Sequence, residues 1–185
     1  MKNVARFFSL VMVLSVLFTS CGGGKEKTPD EIRDSLLTEI KNLENGILKS
    51  REEGKLDLMV ANKMVSLYSR FLKEFPEAQS APDFLFKGAD LYSNALQQPK
   101  EALAWYQKII DKHQGFTRYP ESLFLAGFTC QEKLANPVKA KEYYDVLIEK
   151  YPDHPLSADA KQLISFFGKS DEEIIKEFES KNKVK

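Results

Sequence analysis

Among the residues able to do chemistry, Cys21 has the most organised surroundings. It follows Thr19-Ser20 and precedes Gly22-Gly23-Gly24, so small neighbours leave its thiol open to a modifying enzyme. Upstream, Lys2 and Arg6 supply positive charge, and Phe7 to Phe18 form an apolar run broken by Ser9 and Ser15. A helix of that run reaches about 18 Å, well short of a bilayer core of about 30 Å. The pattern predicts a cleaved signal over residues 1–20, not a membrane span. A thiol in that setting is a nucleophile open to covalent modification.

The other reactive residues form no comparable set. Cys130, flanked by Phe128 and Leu134, reads as a small buried hydrophobe. His113 falls at a helix end, and His154 follows Asp153 in a Pro-flanked loop with no second ligand at a metal-site spacing. Glu52-Glu53 and Glu172-Glu173 suit solvent-facing or capping positions. No nucleophile, base and orienting group can be assembled, and the only glycine cluster follows no strand that could make it a phosphate loop. The expectation is therefore a protein that is not an enzyme, with no catalytic residue, no metal and no cofactor.

Cys21 and its flanks resemble a bacterial lipobox, with Phe18 standing where an aliphatic residue is usual. The resemblance implies lipid attachment at Cys21, a lipid-anchored tether over 21–28, and membrane association through acyl chains. Gly22 in the position after the cysteine implies sorting to the outer membrane. Composition agrees with a single soluble domain beyond the tether: 185 residues, 43% hydrophobic and 29% charged. Twenty-seven basic residues balance 27 acidic ones, which speaks against a sequence-independent nucleic-acid binder.

The elements that must carry any surface are set by a repeat. Shifting the sequence by 38 positions lays Pro82, Leu85, Phe86, Leu96 and Pro99 on Pro120, Leu123, Phe124, Leu134 and Pro137. Ala102, Tyr106, Ile110 and Lys112 likewise fall on Ala140, Tyr144, Ile148 and Lys150, and Trp105 meets Tyr143. A fixed period in this range predicts stacked supersecondary units. Each unit reads as two helices. Leu85, Ala89, Tyr92 and Leu96 recur at helical spacing in the first, and Pro99 opens a second carrying Ala102, Tyr106 and Ile109. Thr28 to Glu31 predicts a capping box before a helix ended by Gly54, and a second helix is expected from about Leu56 to Phe75. A further helix is expected from Ala158 to Phe167, then a short one capped by Ser170 and Glu173. No segment reads as a strand.

Lys100-Glu101-Ala102-Leu103-Ala104-Trp105-Tyr106 resembles the second-helix signature of tetratricopeptide repeats, and Lys139-Ala140-Lys141-Glu142-Tyr143-Tyr144 repeats it. Endings such as Phe75-Pro76 and Tyr151-Pro152 are similar to those of bacterial envelope lipoproteins, including the β-barrel assembly lipoprotein and periplasmic envelope coordinators. Gly88 and Gly127 stand out of register with the family's first-helix glycine. The resemblance implies an all-α tetratricopeptide-like solenoid of helical hairpins. It would have about three helix pairs plus capping helices over 29–185, with the repeat core over about 56–167. It further implies an envelope scaffold that binds a protein or peptide partner, possessing neither metal nor nucleic-acid ligand, with outer-membrane protein assembly as the specific role. The alternative is a glycan- or peptidoglycan-associated lipoprotein. First helices line the concave side in this family, which makes Lys87, Asp90 and Asn94 candidate groove residues. The apolar first helix of the next unit adds Phe124 and Phe128 as a groove floor.

Overall fold

The computed structural model describes residues 27–52 and 57–182. The predicted signal, Cys21, nearly all of the tether and Gly54 lie outside the described residues. Among those described there are eight α-helices and no strand. They are α1 (Pro29–Glu52), α2 (Leu58–Glu74), α3 (Ala81–Asp90), α4 (Pro99–Lys112), α5 (Tyr119–Phe128), α6 (Pro137–Lys150), α7 (Pro155–Phe166) and α8 (Asp171–Asn182). From α1 to α7 each helix packs on the next in chain order, which makes the all-α tetratricopeptide-like solenoid expected from the repeat.

Local chemistry sets the boundaries. Thr28 Oγ1 accepts from the Glu31 amide at 3.2 Å, while Glu31 Oε2 accepts from the Thr28 amide at 2.8 Å. Ser170 and Glu173 make the same reciprocal box before α8, at 3.3 and 2.8 Å. Prolines occupy the first turns of α3, α4, α5, α6 and α7, where a missing N–H breaks no intrahelical bond. One boundary differs from expectation. The seventh helix begins at Pro155, because His154 Nδ1 accepts from the Leu156 amide at 3.3 Å and caps the helix, so this histidine is not in a free loop.

The connections from second to first helices repeat closely. Phe75, His113 and Tyr151 end α2, α4 and α6 with φ/ψ of −132/60°, −127/49° and −134/57°. Each amide donates to a carbonyl four residues back, at 2.8, 2.8 and 2.9 Å. The return within each unit departs from a regular α-helix. After Asp90 and after Phe128 the chain widens into a single π turn, at Leu91–Ala95 and Thr129–Lys133. Gln97 (φ 53°) and Ala135 (φ 49°) then take left-handed conformations, and the next amides reach back to Tyr92 O (2.7 Å) and Cys130 O (2.8 Å). The following prolines hold Gln98 and Asn136 out of the α region, so each helix must end there. The predicted face Leu85–Ala89–Tyr92–Leu96 still packs against the core, with Tyr92 inside the π turn and Leu96 just after it. Ser93 is buried, whereas Tyr92 and Leu96 are half-buried.

Core columns run through the stack. Met64, Ala102 and Ala140 are each fully buried, as are Phe71, Ile109 and Leu147. Tyr68, Tyr106 and Tyr144 form a third column. Gly88 and Gly127 lie under two of the second-helix aromatics. A Cβ on Gly88 would stand 2.0 Å from Trp105 Cζ3, and one on Gly127 would stand 2.5 Å from Tyr144 Cε1.

Candidate functional site

The first helices α1, α3 and α5, together with α2, surround a cavity of about 400 Å³. Its apolar wall comes from Ile47 of α1, Met64 of α2, Leu91 after α3, and Leu125 of α5. That volume lies in the range of clefts that hold a small ligand or a pair of peptide side chains.

The polar wall is held by two arrangements. In the first, Glu44 Oε1 accepts from both Lys87 Nζ and the Tyr68 hydroxyl, each at 2.7 Å, so one carboxylate ties α1 to α2 and α3. Burial, followed by this hydrogen bond, pushes the Tyr68 phenol well above its ordinary range and keeps it a donor. In the second, Arg118 lays its guanidinium 3.6 Å from the centroid of the Phe86 ring. No carboxylate lies within ion-pair reach of Arg118 among the described residues. Beneath it, burial raises the Tyr106 phenol, with Asp90 adding to the shift and Arg118 opposing it.

The five groove candidates divide. Lys87 and Asp90 both line the cavity. Asn94 does not line it and instead donates to Asp90 Oδ1 at 2.7 Å. Phe124 and Phe128 stack on each other at 6.4 Å, with Phe124 also 5.6 Å from Tyr144, and neither borders the cavity. Their neighbour Leu125 does. Spacing assigns none of Glu44, Tyr68, Phe86 and Arg118 to the groove, Phe86 entering only as a position of the repeat. Arg118 did have a signal: the positions one repeat before and after it hold Ser80 and Leu156, so the cation interrupts an uncharged column.

Cys130 is buried and free, and burial raises its thiol pKa, which lowers its reactivity at neutral pH. Among the described residues no three His, Cys, Asp or Glu side chains gather as a metal site. Nor is any described helix long and apolar enough to cross a membrane. The arrangement can bind through apolar contact and hydrogen bonds. Residues 118–154, from the start of α5 to the cap of α7, match the family described as tetratricopeptide repeat. Comparison with curated proteins gives no match.

Proposed function

We propose that this tetratricopeptide-repeat chain is a membrane-anchored interaction scaffold of the bacterial envelope, which takes a protein partner into the groove of its first helices. The observation that carries the reading is one cavity bordered by three successive first helices, each from a different unit. Stacked helical hairpins with a matching repeat generally serve protein–protein binding. The anchoring part of the proposal rests on Cys21 in its lipobox-like setting, with Gly22 favouring the outer membrane, and acyl chains there would concentrate the domain near envelope partners. Outer-membrane protein assembly is the specific role we assign, on the resemblance to assembly lipoproteins.

Two arms test this in cells. A photo-crosslinking amino acid at Leu125, in the cavity wall, is expected to trap a discrete protein partner, while the same group at exposed Glu142 on α6 traps none or a different set. Identical products from both positions would remove the groove from the proposal. Cys21→Ser is expected to abolish labelling by a fatty-acid analogue and release the protein from membranes. Unchanged labelling and sedimentation would remove the anchor.

A further inference from the structure

Resting on the scaffold reading, we infer that the groove recognises a peptide segment in which a carboxylate side chain lies beside an aliphatic one, the carboxylate bonding to Arg118 and the aliphatic group filling the cavity wall.

The cavity is asymmetric in a way that selects this chemistry. Lys87 is already engaged by Glu44, and Asp90 accepts from Asn94. Arg118 has no carboxylate within ion-pair distance among the described residues. Stacking on Phe86 restricts its planar head, so less side-chain freedom is lost when it bonds an incoming group. A guanidinium held this way offers paired N–H donors matched to a carboxylate. The lining as a whole carries Lys87 and Arg118 against Glu44 and Asp90, so it balances. A neutral lining with one unengaged cation suits a single negative charge and disfavours a phosphate dianion or a nucleic-acid backbone.

The apolar half follows from the repeat. Moving one unit along the stack, Lys87 becomes Leu125 and Asp90 becomes Phe128. The face that is charged on α3 is therefore apolar on α5, and its Leu125, though not Phe128, joins Ile47, Met64 and Leu91 around the cavity. A ligand spanning the site must satisfy both chemistries within one or two residues.

The test uses the full chain solubilised in detergent, and phage-displayed random dodecamers as the probe. The wild type is expected to enrich peptides pairing Asp or Glu with a neighbouring Leu, Ile or Val. In a selected peptide, Asp→Asn or Glu→Gln is expected to weaken binding about tenfold, the scale of one lost charge-assisted bond. Arg118→Gln is expected to bind the acidic and amide forms equally, and Arg118→Lys to retain part of the preference. Enriched peptides without acidic residues, no enrichment, or full discrimination by Arg118→Gln would each overturn the inference. The peptide-side substitution needs no change to the protein, so instability of a variant leaves the test intact. If cellular crosslinking at Leu125 still traps a partner when the acidic preference is absent, the scaffold stands and only this inference falls.

Discussion

At the scale of the residue, two glycines each sit closely against an aromatic ring of another helix. Gly88 faces Trp105, and Gly127, one position later in its repeat, faces Tyr144. Gly88→Ala is expected to destabilise the fold by about 1–3 kcal/mol, because the added methyl meets a buried ring that is itself packed against Tyr92. Gly46→Ala is the matched control, since nothing lies within 4 Å of its Cβ position in α1. It is expected to stabilise by about 0.5–1 kcal/mol through helix propensity alone. Urea denaturation of the two variants checks the opposite signs, and an unchanged midpoint for Gly88→Ala would show that Trp105 can swing aside. The glycines were visible in the sequence as residues out of register. Their reason was not, because it lies in a ring on another helix.

Single carboxylates can hold whole elements. Glu44 is the point where α1 is bonded to Tyr68 and Lys87. The exposed ion pair contributes little in water, but the Tyr68 hydroxyl is buried and its loss of an acceptor costs more. Glu44→Ala is expected to reduce stability by about 1–2 kcal/mol. It should also raise amide exchange in α1 more than in α5 to α7. Uniform change along the chain would mean that α1 is held by Leu36 and Ile40 without this tie. Most helix starts were legible, since a capping box or first-turn proline is a constraint written within four residues, and the start of α7 was missed because its cap is a histidine. The π turns were hidden because an apolar spacing of three and four fits an α-helix as well as a helix that widens at its last turn. Arg118 and Glu44 escaped for a different reason. Each reaches the cavity from an element far along the chain, where no local spacing records the meeting.

At the scale of the whole molecule, the tyrosine column links stability to pH. Burial raises the phenols of Tyr68, Tyr106 and Tyr144 above the ordinary value of 10.0. Above that pH the unfolded chain loses these protons while the folded one retains them, so stability falls as pH rises. The contribution is fully present below pH 10 and declines as the pH climbs from there toward the folded values. Thermal melts at pH 8 and pH 11 are expected to show a clear drop in Tm, with phenolate absorbance rising at the unfolding transition. Equal Tm at both pH values would show that the column ionises without opening. The array has one more property, which comes from its matching connections. His113 and Tyr151 end their helices in nearly the same backbone conformation, so the stretch from Gln114 to Tyr151 begins and finishes at equivalent points. A second copy spliced in after Tyr151 would meet familiar joints on both sides. The length of the binding face is thus a quantity that descent can alter in whole increments, leaving every existing seam undisturbed.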